Sequence, residues 1–98
     1  MKYEIRLREE AEKDLDEAAS WYEDRRNGLG MDFLDAVSST FAEISANPNQ
    51  FPTVHRGTHR ALLAKFPYGV FFSVRGSNVD VLAVFHASRN PSVWRGRA

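Results

Sequence analysis

Residues 79–86 read VDVLAVFH, and this run sets the tightest limit on the fold. Extended as a strand, it places Val79, Val81, Ala83 and Phe85 on one face and Leu82 and Val84 on the other, so both faces are apolar. Such a strand must be covered above and below, which predicts an interior position in a sheet. Two more apolar runs precede it, at about 60–66 and 70–75, with FPYG and RGSN between them as turns. Three strands in succession joined by tight turns form an antiparallel meander.

The start of the chain supplies another strand and the cover. In KYEIRL, Tyr3, Ile5 and Leu7 alternate with Lys2, Glu4 and Arg6, the pattern of a half-buried strand. The period then changes. Ala11, Leu15, Ala18 and Tyr22 are spaced four, three and four apart, which keeps them within about 60° of arc on a helix. Acidic residues crowd its first turns, Arg25 and Arg26 close it as the helix dipole prefers, and NGLG stops it. A second helix runs from near Gly30 to about Ala46 with the stripe Phe33, Val37, Phe41 and Ile44, and NPNQFP ends it.

The predicted architecture is α+β in the order β-α-α-β-β-β, a single domain over residues 1–98. An antiparallel helical hairpin covers one face of the sheet. Leu15, Tyr22, Phe33, Val37, Phe41 and Ile44 are expected to form one core with Ile5, Val81 and Ala83. A chain of 98 residues has room for one such core and no more. On the other face, the polar groups on or beside strands are Arg60, Lys65, Arg75 and His86.

Charge matters here through its distribution. Residues 1–50 carry six basic side chains against twelve acidic ones, whereas residues 51–98 carry seven basic ones against Asp80 alone. The net charge is zero overall but −6 and +6 by half, so the halves either pair with each other or leave an anion-attracting face. The absence of cysteine excludes disulfides and thiolate metal sites and fits a reducing compartment. The charged N-terminus and the lack of any long apolar run give no signal peptide or membrane span, so a cytoplasmic protein is expected. His55 and His59 are four apart, but Pro52 and Gly57 place them in a loop with no third ligand near in sequence, so neither metal nor cofactor is expected. The acids from Glu9 to Glu17 read as a solvated helix face, and Trp21 and Tyr22 as packing groups.

WYE in the first helix, LGMDFL opening the second, then NPNQFP, HRALLAKFPYGVFFSV and VLAVFHASRNPSVW together resemble the RelE/ParE superfamily of type II toxin-antitoxin toxins. The likeness runs from about Tyr3 to Arg97. It implies a growth-inhibiting toxin held by a cognate antitoxin in a hetero-oligomer, with either DNA gyrase or the ribosome and its mRNA as target. The ribonuclease branch cuts mRNA without a metal, using basic side chains on the sheet and often a C-terminal tyrosine. Arg60, Arg75 and Arg89 can supply the cations, with Lys65 and Arg56 in reserve, and His86 is the one candidate base. His86 and Arg89 are thus the catalytic candidates if the chain is a ribonuclease. Its last aromatic, however, is Trp94, which cannot donate a proton as tyrosine can. HASRNPSVW after FPYGVFFSV is more similar to the ParE branch, whose members poison gyrase. On that reading Arg89, Trp94 and Arg95 form a recognition surface, while Trp94 is an equal candidate for packing.

Overall fold

The computed structural model describes residues 2–97. Its elements are β1 (Glu4–Leu7), α1 (Glu9–Arg25), α2 (Leu29–Ala46), a 3-10 turn (Pro48–Gln50), β2 (Thr53–His55), β3 (Thr58–Leu62), β4 (Tyr68–Arg75), β5 (Asn78–His86) and α3 (Pro91–Arg95). The sheet order is β1-β5-β4-β3-β2. The expected meander is β3-β4-β5, and β5 is interior as its sequence requires, with β4 antiparallel on one side and β1 parallel on the other. Two elements go beyond the expectation: the short edge strand β2 and the helix α3. The first strand of the meander also begins and ends earlier than its apolar run, at Thr58 and Leu62.

The helical hairpin is locked by close backbone approach and by one carboxylate. Gly28 turns the chain at φ 88°, a left-handed value that glycine accepts without strain. Glu23 then accepts hydrogen bonds from the amides of Gly28 and Gly30 at 3.0 Å, satisfying donors at the start of α2 that have no helical partner. These two bonds pull the Glu23 carboxyl below the ordinary glutamate range. A folded-state value below the unfolded one gives stabilisation that is present above the unfolded value and is lost as pH falls through the folded one. The wild type is therefore expected to lose more stability than Glu23→Gln below about pH 4.3, measured by urea titration across that range.

Gly30 sits where α2 meets α1. A Cβ there would lie 2.7 Å from the carbonyl oxygen of Ala19 and 3.0 Å from Glu23 Oε1. Alanine in a helix ordinarily gains up to about 1 kcal/mol over glycine, but contact with a backbone atom reverses the sign. Gly30→Ala is expected to destabilise by about 1–3 kcal/mol, and a raised denaturation midpoint would contradict this packing.

The core between hairpin and sheet contains Phe33, Val37 and Ile44 with Ala61, Val70, Phe72, Val79, Val81 and Val84. On α2 the fully interior stripe is Gly30, Phe33, Val37, Thr40 and Ile44. Thr40 can lie inside because its hydroxyl donates to the carbonyl of Ala36 at 3.0 Å. Phe41, Leu15, Tyr22 and Ile5 pack on this core from half-buried positions.

One expected core member lies elsewhere. Ala83 belongs to a second cluster on the opposite face, with Phe71, Leu82, Phe85 and Trp94. The cause is a bulge: Phe71 pairs with Ala83 and the next residue, Phe72, with Val81, so Leu82 is an extra residue in β5. Past Leu82 the alternation changes parity. Val84 and His86 join the helix side through their partners Val70 and Tyr68, and Ala83 and Phe85 turn to the far side. The second cluster is capped by α3, whose Trp94 stacks on Phe71 at 4.5 Å with an interplanar angle of 21°.

Candidate functional site

The bulge also decides which candidate residues share a face. Under strict alternation His86 would stand with Arg60 and Arg75, and the structure instead puts it on the helix side. There its ring meets Tyr68 edge-on at 5.4 Å. Arg60, paired with Phe71, and Arg75, paired with Asn78, are on the far face by register. Lys65 leaves the sheet altogether. It occupies the β3–β4 connection at φ 69° and lines a groove against α2 with Asp32, Asp35 and Glu43. The sheet face expected from Arg60, Lys65, Arg75 and His86 together is therefore split among three places.

The far face nevertheless gathers cations. Arg60 lies across Gly69, where an added Cβ would come within 3.2 Å of its Cγ, and its buried Nε has no hydrogen-bond partner among the described residues. His55 meets Trp94 edge-on at 6.1 Å. Burial, reinforced by the charges of Arg95 and Arg56, pushes its imidazole down from the ordinary histidine value. His59 is a packing group, with Nδ1 at 2.8 Å from the Phe51 carbonyl and its ring stacked on Phe72.

The two charged halves do not cancel face to face. Among the described residues two ion pairs join them, Arg8 with Asp80 at 3.1 Å and Arg97 with Asp14 at 2.7 Å. Arg56, Arg60, Lys65, Arg75, Arg89 and Arg95 make no ion pair with the described residues. The anion-attracting reading of the second half is the one the geometry supports.

The tail after β5 is partly structural. Trp94 is only 5% exposed and occupies a packing position against Phe71. Arg89 and Arg95 stay exposed, with Arg89 Cζ 4.2 Å above the Phe85 ring. Asp14 is the exception to the solvated acidic face of α1. It accepts from the Val84 amide at 3.1 Å and from Arg97, which also donates to the Leu82 carbonyl. Because β1 pairs only with Asn78–Val81, the outer edge of β5 beyond Val81 lacks a strand partner, and these side chains take its place.

A cleft that the sequence reading missed lies between α1 and the end of the sheet. Its volume is about 520 Å³, and Trp21, Tyr22, Pro67, Tyr68, His86 and Arg89 line it, with Asp14 and Glu17 on the α1 side. The signal was present in part. Tyr68 alternates with Val70 and Phe72, but placing it beside His86 needs the shifted register.

A mixed sheet with a helical hairpin on one face is a fold shared with solved structures of known proteins. A chain of the chromosomal ParDE TA system from P. aeruginosa superposes with a TM-score of 0.77 at 17% identity, covering 87% of this chain and 96% of that one. A chain of the toxin-antitoxin complex RelBE2 from Mycobacterium tuberculosis gives 0.64 at 20% identity, over 88% and 99%. A mutant of E. coli toxin RelE in the free state gives 0.69 at 16% identity, over 100% and 95%. At these identities the likeness establishes the fold. In sequence, the chain is 32% identical over 92 residues to Toxin ParE2 of Mycobacterium tuberculosis H37Rv, covering 90% of this chain and 85% of the relative. Residues 5–91 match the family described as ParE toxin of type II toxin-antitoxin system, parDE, and the chain belongs to that family.

Proposed function

We propose that this toxin acts by binding, on the ParE pattern: it is neutralised by a cognate antitoxin and, when free, stops growth by poisoning DNA gyrase. The observation that supports this reading over ribonuclease action is the separation of His86 from Arg60 and Arg75 by the thickness of the sheet. Metal-free RNA cleavage requires a base, an acid and cations around one phosphate. Among the cationic candidates only Arg89 lines the cleft that His86 lines. No helix among the described residues is long and apolar enough to cross a membrane, and the proposed targets are cytoplasmic.

The test pairs two readouts on the purified protein, supercoiling by gyrase and cleavage of mRNA on translating ribosomes. Inhibited supercoiling with intact message is the expected result. Ribosome-dependent cleavage that falls about 100-fold in His86→Ala, the scale for loss of a general base, would overturn it. Co-expression of the cognate antitoxin is expected to restore growth and to copurify as a complex.

A further inference from the structure

The cleft between α1 and the end of the sheet has a polar lining biased to one role. His86 Nδ1 accepts from the Ser88 amide at 3.1 Å and lies 2.8 Å from the Ser88 hydroxyl, so in the neutral ring Nε2 carries the proton. Tyr22 and Tyr68 lie 5.9 Å apart, ring to ring, and neither hydroxyl has a hydrogen-bond partner among the described residues. Arg89 adds a guanidinium that makes no ion pair with the described residues and whose charge is felt at the Tyr68 hydroxyl. These groups are donors awaiting an acceptor. Trp21, half exposed with Arg25 over its ring at 4.2 Å, and Pro67 supply apolar walls.

We infer that this cleft docks an acidic segment of a protein partner, taking one side-chain carboxylate between Arg89, His86 and the two tyrosines and a neighbouring apolar side chain against Trp21 and Pro67. The charge count favours a carboxylate over a phosphate. Asp14 is paired with Arg97, and Glu17 lines the cleft together with Arg89, so a ligand with one negative charge meets less repulsion there than a ligand with two. The partner assignment rests on the toxin reading, in which the chain exists to be bound by another protein. It uses a surface apart from Arg56, Arg60 and Arg95, and so leaves the far face free for a second contact.

The experiment follows aromatic and imidazole signals of the full chain by NMR with 3-phenylpropionate as probe, beside its neutral amide and AMP. Saturable shifts at Trp21, Tyr68 and His86 are expected with the carboxylate, about ten-fold weaker with the amide and in Arg89→Gln, as for loss of one charge-assisted hydrogen bond. Equal binding of acid and amide, tighter binding of AMP, or shifts confined to His55 overturn the assignment. In the purified complex with the cognate antitoxin the probe is expected to be excluded. Unchanged probe affinity there means that this partner does not fill the cleft, and overturns the docking claim. Acid selectivity in a protein that affects neither gyrase nor message would count against the toxin reading alone, and its absence in a toxic protein against the cleft alone.

Discussion

Phe33→Ala is expected to remove about 3–5 kcal/mol of stability, the usual cost of truncating a deeply buried phenylalanine, and so to leave a domain of this size largely unfolded. Phe33 is fully buried. Its ring stacks on Tyr22 at 5.3 Å and meets Phe66 and Tyr68 edge-on at 5.4 and 5.1 Å, so one deletion opens a cavity and unseats three partners at once. Those partners come from α1, the β3–β4 connection and β4. The strain on relaxation is therefore shared by every layer on that side of the sheet. Phe41→Ala, by contrast, is expected to cost less, because Phe41 keeps part of its surface in water. Urea midpoints for the two variants side by side decide the matter. A Phe41 variant as damaged as the Phe33 variant would mean that the stripe is rotated on α2.

Asp14→Ala is expected to cost about 2–4 kcal/mol, because it strands both a guanidinium and an interior amide. The Asp14 side chain is 9% exposed and that of Arg97 19%, so neither is well repaid by water when the other is removed. The Val84 amide loses its acceptor, and the segment after α3 loses one of its fastenings, another being the Arg8 guanidinium that donates to the Arg97 carbonyl. Hydrogen exchange at Val84 is expected to quicken in Asp14→Ala and less in Arg97→Ala, where the carboxylate remains. The double variant is expected to fall short of the sum of the two, since they share one interaction. An additive pair with unchanged exchange would show that the edge of β5 is held by something else. The same geometry changes the meaning of a truncated tail. Loss of toxicity after deletion beyond Pro91 would reflect the uncapping of Phe71 and Phe85 as much as the loss of Arg95, so point variants of Arg89 and Arg95 are the cleaner probes of recognition.

Much of this molecule was legible from periodicity. The spacing of Phe33, Val37 and Ile44 depends only on the turn of a helix, and the apolar run of β5 only on the need to cover two faces; both are local properties of the chain. The split of charge between the halves was equally plain, and so was the surplus of arginine, much of which makes no ion pair with the described residues. The family resemblance carried the order of the elements.

What the sequence left open depends on events that no local pattern encodes. VDVLAVF is apolar at nearly every position, so a one-residue bulge at Leu82 leaves no trace in its hydropathy, yet it reverses the faces of Ala83 and His86 and breaks up the expected basic face. Thr40 entered the core because a helical carbonyl satisfied its hydroxyl, which hydropathy alone scores as polar. Asp14 looked like one more acid on a solvated helix, and only the shortness of β1 created the bare edge that it and Arg97 fill. Sequence by itself determined the helical hairpin, four of the five strands, most of the buried stripes and the sign of the second half. Tertiary structure decided which charged groups meet, because a register shift of one residue costs little locally and moves every later side chain to the other side of the sheet.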